Sequence, residues 1–366
     1  MKFAGRLFIV GLSVLTAALV VFLSAEILLY RQQSRSATIG YGPVLYTSDG
    51  IRLGSRSGGL QLILKPLTVY GNRPNQRTPK FSTDARGFRT TVPSNDGTRD
   101  KIILLGGSTA FGAGLPRDED TFASQLAHQL KVQVLNAGVA GFQSGQELAY
   151  LVTELIDLRP TIVLTLDGWN DFGIRPQRAE FLGAANFEQV EGYLKGVHLL
   201  TQSPAAMRPA LIPLILFPRT GQWLIDRLSR FGRPVSPPRR QPHPRHTIEA
   251  AATRYATNIA KMNELAVPFR FRFLCVIQPQ KRGIGFEKKN EEYAFFREVT
   301  VRQLAEQGVS YIDLSDDQYR NKLSDDGFLD EMHPDAANTK LMAKLVAAEI
   351  AHLDLLGVGR SVQFSH

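Results

Sequence analysis

With 366 residues, a hydrophobic fraction of 43% and a charged fraction of 21%, the chain can form one large domain with additional segments, and its composition excludes an intrinsically disordered protein. The net charge of +9 does not indicate nucleic-acid binding, because the basic residues are scattered and their densest cluster, 233–245, is rich in proline and lacks interleaved aromatic residues. A single cysteine, Cys275, excludes an internal disulfide bond, and its apolar neighbours predict a buried, unreactive thiol.

The first 35 residues predict a membrane anchor. Leu7–Ala25 is an uncharged stretch of 19 residues, which is long enough to cross a bilayer. The apolar core of a cleaved signal peptide is normally shorter, and Leu23–Ala25 is a poor cleavage site, so we expect residues 1–35 to remain as a signal anchor. Basic residues flank the stretch almost equally and orient it only weakly. We expect the amino terminus inside and the body of the protein outside.

Residues 36–99 are rich in Gly, Ser, Thr and Pro without helical periodicity, which predicts a juxtamembrane segment of loops and a few short strands. From residue 100 to 356, short apolar runs alternate with amphipathic stretches. The runs predict five buried strands, at 102–105, 132–135, 162–166, 273–277 and 309–312. The amphipathic stretches predict helices at 121–130, 146–158, 247–265, 291–307 and 335–355. This alternation predicts an α/β domain, a parallel sheet with helices on both faces.

Residues 175–246 interrupt the alternation between the third and fourth predicted strands. They combine amphipathic stretches with many prolines, which predicts an insertion in the domain. The apolar run 210–217 within it is too short to span a membrane. It could cover an active site or lie on the bilayer, and the sequence leaves both roles open.

Polar residues and glycines follow the predicted strands at the edge where a parallel sheet binds its ligands. Ser108, in GGST, follows the first strand, and Gly138, in NAG, follows the second. Asn170, in GWND, follows the third. Asp330 and His333, in DEMH, precede the last helix. Because the carboxyl ends of parallel strands share one edge of a sheet, we expect these residues to form one site.

Acyl transfer gives each of these residues a role. A serine is a weak nucleophile at neutral pH and needs a base, which His333 can supply while Asp330 orients the imidazole. Pro334 disfavours helical geometry at His333 and suits the first helical position, so His333 should lie on the loop before the helix. The N–H groups of Ser108 and Gly138 and the side-chain amide of Asn170 are candidate donors for an oxyanion hole.

In this order, the blocks GGS, NAG, GWND and DEMH resemble those of the SGNH/GDSL hydrolase superfamily, over roughly residues 100–350. The sequence ARGFR at 85–89 is similar to the segment that precedes the domain in the membrane-anchored bacterial branch. The first block reads GGST rather than GDS, and Ala337-Asn338 stands where a Gly-Asn pair is usual. The resemblance implies a three-layer α/β/α, flavodoxin-like fold and a covalent acyl-serine intermediate, with no metal or organic cofactor.

The resemblance also implies substrates among O-acetylated glycans, lipids, thioesters and small esters. Combined with the predicted anchor, it places the catalytic domain on the periplasmic side of a bacterial inner membrane. There we expect an O-acyl, in particular O-acetyl, esterase or transferase acting on an envelope or exported glycan. The alternative enzyme is a lysophospholipase or lipid esterase, which the apolar run in the insertion favours. The oligomeric state is not specified by the sequence.

Two other functional classes fit the sequence less well. Gly107 and Gly112 have the spacing of a phosphate-binding loop, but Ala113-Gly114 replace the required Lys and Ser or Thr, which argues against an NTPase. A catalytically silent protein that binds or assembles an acylated glycan is the alternative from another class. The intact serine, aspartate and histidine argue against it.

Three further residues adjoin the predicted site and are candidates for contacting the substrate: Trp169, Asp171 and Gln278. Trp169 could stack on a sugar ring or pack beneath the loop. Asp171 could instead cap a helix or organise the Asn170 loop.

Overall fold

The computed structural model describes residues 59–174, 182–184, 245–283 and 285–356, with isolated positions at 16, 20–21, 24, 44–46, 52–53 and 180. The predicted anchor at 1–35 therefore lies outside the described residues except at Thr16, Val20, Val21 and Ser24, which are helical. Most of the predicted insertion at 175–246 also lies outside them. Across the described positions, none of the helices combines the length and the apolar character needed to cross a membrane.

The chain divides into two units. One comprises 1–42, 56–58 and 190–242, and the four helical positions just named are its only described residues. The other comprises 43–55, 59–189 and 243–366, and all the elements described below belong to it.

Four short strands precede the predicted domain, as expected for this part of the sequence. They are β1 Val44–Tyr46, β2 Arg52–Leu53, β3 Gln61–Lys65 and β4 Val69–Asn72. They form a small sheet in the order β2-β1-β3-β4, in which β1 and β3 are parallel and the other pairs antiparallel.

The described part of residues 36–99 is not a separate juxtamembrane segment, contrary to the predicted boundary at residue 100. The Tyr70 hydroxyl donates to the Ala140 carbonyl at 3.1 Å, and the Asn72 amide donates to the Gly138 carbonyl at 2.9 Å. Apolar side chains of this part belong to the same buried cluster as Ile103 of the large sheet, and these are Leu62, Tyr70 and Phe88. The segment has too few apolar residues for a core of its own, so it buries them against the domain.

Five parallel strands form the large sheet; four of them contain most of a predicted run, and the fifth, β9, begins two residues later than predicted. They are β5 Lys101–Gly106, β6 Gln133–Asn136, β7 Ile162–Asp167, β8 Arg272–Ile277 and β9 Tyr311–Asp313. Their order is β6-β5-β7-β8-β9, the 2-1-3-4-5 order of a flavodoxin-like sheet. Leu104 pairs with Asn136 on one side and with Leu164 on the other. The predicted parallel sheet is confirmed.

Among the described residues from 59 onward, the α-helices are α1 Ser108–Phe111, α2 Phe122–Leu130, α3 Ser144–Tyr150, α4 Trp169–Gly173, α5 Arg245–Glu264, α6 Ala266–Phe269, α7 Glu287–Glu306, α8 Asp317–Arg320 and α9 Ala336–His352. The helix predicted at 146–158 is α helical only to Tyr150 and continues as π-helical and 3₁₀ turns to Leu158. Helix α9 begins after Asp335, whose side chain accepts from the Asn338 N–H. Pro334 therefore precedes the helix instead of starting it.

Alternate residues of the strands point to opposite faces, and each face carries its own helices. Ile103 and Leu105 are buried in a cluster with residues of α3, α5 and α7. Ile102 and Leu104 are buried in a second cluster with residues of α2 and α9. The result is the predicted three-layer α/β/α arrangement.

Candidate active site

Ser108 stands at the point where the central strand β5 turns into α1. The strand ends at Gly106, whose φ of +143° is accessible to glycine, and a Cβ there would overlap the Leu166 carbonyl oxygen of the neighbouring strand. Gly107 caps α1, and Ser108 is its first residue. The N–H at such a position has no partner within the helix and is directed outward, as a candidate oxyanion donor.

The three predicted acyl-transfer residues form one hydrogen-bonded series. His333 Nε2 lies 2.7 Å from Ser108 Oγ, and His333 Nδ1 lies 2.7 Å from Asp330 Oδ2. With the imidazole proton on Nδ1, facing the carboxylate, Nε2 accepts a hydrogen bond from the serine hydroxyl. His333 is buried, while Ser108 is partly exposed. This geometry allows Nε2 to remove the proton of Ser108 as its oxygen attacks an electrophile.

The segment 327–335, which we call the acid–base loop, holds Asp330 ionised and His333 in place. Partial burial alone would raise the pKa of Asp330, but the hydrogen bond and charge of His333 and two backbone N–H donors lower it to about 2. Those donors are the N–H groups of Met332 and His333, both 2.9 Å from Oδ1. The loop also closes on itself, because the Leu329 N–H donates to the His333 carbonyl at 2.8 Å.

Asn170 lies against the start of α1. A Cβ on Gly107 would overlap Asn170 Nδ2, so the amide and the Ser108 N–H are neighbours. Asn170 Nδ2 donates one hydrogen to the Phe142 carbonyl at 2.8 Å, and Gln143 Nε2 donates to the Asn170 carbonyl at 3.1 Å. The first bond orients the side-chain amide, and the second holds the Asn170 backbone. The second amide hydrogen is left for a ligand oxygen near Ser108. We call the two segments that carry Gly138 and Asn170 the oxyanion edge; they are residues 136–143 and 168–171.

Gly138 differs in part from its predicted role. Its N–H donates to Asn136 Oδ1 at 3.1 Å, so this donor is already engaged. A Cβ on Gly138 would overlap the Phe111 nitrogen and meet Ala110, which shows that glycine is needed here for close packing against α1. To serve as an oxyanion donor, the Gly138 N–H would have to share or exchange this hydrogen bond.

The structure does not place the three candidate substrate contacts at the surface of the site. Trp169 is 3% exposed and packs edge-on against Phe172 and Tyr293. Because it lies at the first position of α4 with its ring beneath the loop, stacking on a sugar is excluded in this arrangement. The packing alternative is the one observed.

Asp171 and Gln278 are likewise buried. Asp171 accepts from the Ser144 N–H at 3.0 Å and from its hydroxyl at 2.6 Å, so it holds the start of α3. Burial raises the pKa of Asp171 to about 7, although both Ser144 hydrogen bonds oppose the shift. Gln278 directs its amide at the Met332 carbonyl, 3.5 Å away, and supports the acid–base loop from below. Both residues are structural supports and not substrate contacts.

The sequence analysis missed a buried acidic pair beneath the oxyanion edge. Glu147 of α3 and Asp167, the last residue of β7, are both buried and interact electrostatically. In the described part of the chain, both Glu147 carboxyl oxygens and Asp167 Oδ2 are buried without a hydrogen-bond partner. Burial raises the pKa of both, and the neighbouring Asp167 raises that of Glu147 further. Tyr255 donates its hydroxyl to Asp167 and contacts the buried Cys275 thiol. No periodicity reveals such a pair, because its members lie on different elements.

It also missed Arg89, whose guanidinium is buried beside α1. The ARGFR sequence resembles a family segment, but nothing in it assigns the arginine a contact. A buried arginine is rare and requires partners for its charge. Its burial, which only the structure shows, therefore indicates that Arg89 has a specific role.

An open cavity of about 1210 Å³ lies at the opposite edge of the sheet, where the strands begin. Arg99, Thr161 and Arg270 are among its lining residues. The lining of this cavity does not include Ser108, His333 or Asn170. The candidate active site is therefore identified by its reactive groups and not by cavity size. Over the described ranges, no group of three or more His, Cys, Asp or Glu side chains could hold a metal ion.

Comparison with known proteins agrees with the geometry. The profile of the GDSL-like Lipase/Acylhydrolase family matches residues 104–340. No curated protein matches the chain. Among solved structures, the lipase/acylhydrolase from Enterococcus faecalis is 15% identical, with 69% of this chain and 95% of that chain covered and a TM-score of 0.40. The acetylxylan esterase Axe2 from Geobacillus stearothermophilus is 13% identical, with 74% and 99% covered and a TM-score of 0.41. The family match spans well over half of the chain, and the chain therefore belongs to the GDSL-like lipase/acylhydrolase family, as a hydrolase of ester bonds.

Proposed function

We propose that the protein is a serine esterase or acyltransferase whose substrate is an O-acylated, in particular O-acetylated, glycan of the cell envelope or of an exported polysaccharide. The observation that carries the reaction class is the series Ser108–His333–Asp330, with 2.7 Å at both junctions. A binding protein without turnover would not need an ionised Asp330, a correctly oriented imidazole and a free serine hydroxyl together.

The reaction begins when Ser108 Oγ attacks the ester carbonyl carbon and His333 Nε2 accepts the hydroxyl proton. The carbonyl oxygen becomes an oxyanion, to which the Ser108 N–H and the second Asn170 amide hydrogen donate. The ionised Asp330 stabilises the protonated imidazole. His333 then gives its proton to the departing alcohol oxygen, and the acyl group remains on Ser108.

In the second half of the reaction, His333 deprotonates an oxygen nucleophile that attacks the acyl carbon. The bond from that carbon to Ser108 Oγ then breaks, and His333 returns the proton to Ser108 Oγ. If the nucleophile is water, the product is a free acid and the enzyme is an esterase. If it is a sugar hydroxyl, the acyl group is transferred. The same side chains serve both outcomes, so the choice depends on how well the loops around Ser108 exclude water.

The glycan substrate and the location rest on the predicted anchor. An uncharged stretch at 7–25 would tether the domain to a bacterial inner membrane, and on the periplasmic side acylated glycans pass within its reach. Protease added to spheroplasts should digest the domain if it faces the periplasm, and only lysed cells should allow digestion if it faces the cytoplasm.

A lipid esterase is the second candidate, favoured by the apolar run 210–217 in the insertion. Such a run could bind an acyl chain or the bilayer surface. This reading predicts faster turnover of long-chain esters than of acetyl esters.

The test uses full-length protein in detergent with acetylated polysaccharide, p-nitrophenyl acetate and a long-chain p-nitrophenyl ester. We expect deacetylation of the short-chain substrates, and a preference for the long chain would refute the glycan proposal. A fluorophosphonate probe should label wild-type protein and the exposed-loop control Ser94→Ala, but not Ser108→Ala. Equal labelling of Ser108→Ala would refute its role as the nucleophile.

A further inference from the structure

The nucleophile helix α1 has only four residues, Ser108–Phe111. A helix this short is not stable alone, because most of its N–H and carbonyl groups lack partners within the helix. Gly112, in the left-handed region at φ +86°, closes the first turn by donating to the Ser108 and Thr109 carbonyls. The carbonyls at the end of the turn still need donors, and these come from outside the helix.

Arg89 supplies them. Its Nη1 donates to the Phe111 carbonyl at 3.2 Å and to the Gly112 carbonyl at 2.5 Å. Nε donates to Asp118 at 2.9 Å, and Nη2 donates to the Lys80 and Arg117 carbonyls at 3.1 and 3.2 Å. The positive charge also lies at the carboxyl end of α1, where the helix dipole favours a cation.

The surroundings of Arg89 select a guanidinium. The residue is 2% exposed, and its group lies over the rings of Phe81 and Phe111, at 5.7 and 5.2 Å from their centroids. Burial lowers the pKa of Arg89, and Asp118 opposes this shift, so the group remains charged. A lysine ammonium can neither stack between two rings nor donate to five acceptors in different directions.

The backbone of Arg89 connects α1 to the oxyanion edge. Its N–H donates to the Asn136 carbonyl at 3.1 Å, and Asn136 in turn accepts from the Gly138 N–H. Asn72 donates to the Gly138 carbonyl, so both sides of this glycine are held. One residue of the amino-terminal segment therefore contacts both the nucleophile helix and the strand end beside it.

Asp118 keeps the guanidinium in this position. Its second oxygen accepts from the Ser82 N–H at 3.0 Å and from the Ser82 hydroxyl at 2.7 Å. The carboxylate thus joins Arg89 to the loop that carries Ser82 and to the 3₁₀ turn Asp118–Asp120. Rotation of Arg89 away from α1 would break this whole set of bonds.

We propose that Arg89 is a positioning residue for the nucleophile: by capping α1 and binding Asn136, it sets the orientation of Ser108 relative to His333 and to the oxyanion donors. This rests on the proposed role of Ser108. Arg89 does not touch the reacting atoms, and its effect should appear in the rate of serine attack and not in substrate binding.

The test compares Arg89→Lys with wild type and with Arg297→Lys, as full-length proteins. Arg297 is a matched control because its Nε, at 3.0 and 2.9 Å, and its Nη2, at 2.5 Å, donate to the Asp313 carboxylate, away from α1. A displacement of about 1 Å between reacting groups costs on the order of 100-fold in rate. We therefore expect Arg89→Lys to lower kcat for p-nitrophenyl acetate and the rate of fluorophosphonate labelling by about 10- to 100-fold, with KM changed less than about threefold.

Both lysine variants should lower the melting temperature, whereas only Arg89→Lys should slow labelling. If Arg89→Lys labels at the wild-type rate while folded, the residue only stabilises the fold and the proposal fails. If Arg89→Lys does not fold, the test uses Asp118→Asn, which keeps the size of the side chain but weakens its bond to Arg89. A wild-type rate of labelling in Asp118→Asn would also refute the proposal. Failure of wild-type protein to label at Ser108 would instead refute the proposed function.

Discussion

The acid–base loop and the oxyanion edge are held in place by different kinds of contact. Asp330 receives hydrogen bonds from Met332 and His333, two and three residues away in the sequence. Asn170 instead depends on Phe142 and Gln143, 28 and 27 residues away. The contacts that orient the catalytic base are therefore mainly local, while the oxyanion donors depend on how distant segments pack. Substitutions far from the site should disturb the second group before the first.

We expect the largest loss of activity from a substitution in the acid–base loop. Asp330→Asn places an amide next to His333 Nδ1, which favours the tautomer with the proton on Nε2, facing Ser108. The imidazole then cannot accept the serine proton. We expect kcat to fall on the order of 10³- to 10⁴-fold with little change in KM, measured with p-nitrophenyl acetate.

A double variant tests whether Asp330 acts on the reaction only through His333. His333→Ala removes the base, so adding Asp330→Asn to it should cost no further activity. Losses that multiply in the double variant would mean that Asp330 acts on the reaction independently of His333, against the geometry described above.

Breaking the oxyanion edge should have a smaller effect. Asn170→Ala removes one donor to the developing oxyanion, and such a loss costs about 10²- to 10³-fold in kcat. Gln143→Ala leaves the Asn170 amide present but removes the bond to its backbone carbonyl, so a loss of about 10-fold is expected from misplacement alone. If Asn170→Ala retains kcat within about twofold, the amide is not an oxyanion donor.

This contrast also explains which features could be predicted from the sequence. Buried strands of a parallel sheet are short β-branched runs, so β5 to β9 were located within two residues. Asp330 and His333 were paired because their three-residue spacing lets the side chains meet within one turn. The helix predicted at 121–130 is observed as α2, in which Phe122, Leu126 and Leu130 are buried on one face at helical spacing.

Features that depend on distant segments could not be predicted. Trp169, Asp171 and Gln278 all follow strand ends, where the sequence alone cannot distinguish a side chain facing the substrate from one buried below it. Their burial is decided by Tyr293, Ser144 and Met332, which lie on other elements. The contacts of Arg89 with α1 have the same origin, because an arginine in a glycine-containing loop predicts exposure.

The smallest expected effect is on the pH dependence of stability. Asp330 of the acid–base loop and Asp171 of the oxyanion edge should contribute to it in opposite directions. The pKa of Asp330, about 2, is below the usual value near 3.9, so its stabilisation is present above about pH 4 and is lost as the pH falls through 2. The pKa of Asp171, about 7, is above that value, so its contribution is complete below about pH 4 and is lost as the pH rises through 7.

Asp171→Asn tests this difference, because the amide stays uncharged and can still bond Ser144. It should flatten the fall in melting temperature between about pH 4 and 7 by a few degrees, whereas Asp330→Asn should flatten only the loss below about pH 4. Circular dichroism melts from about pH 2 to 8 measure both, with Glu306→Gln on the exposed end of α7 as the control. A wild-type slope in Asp171→Asn would mean that the oxyanion edge is not supported by a carboxyl that titrates in this range. The acid–base loop and the oxyanion edge would then differ in the span of their contacts but not in the charge state of the residues that hold them.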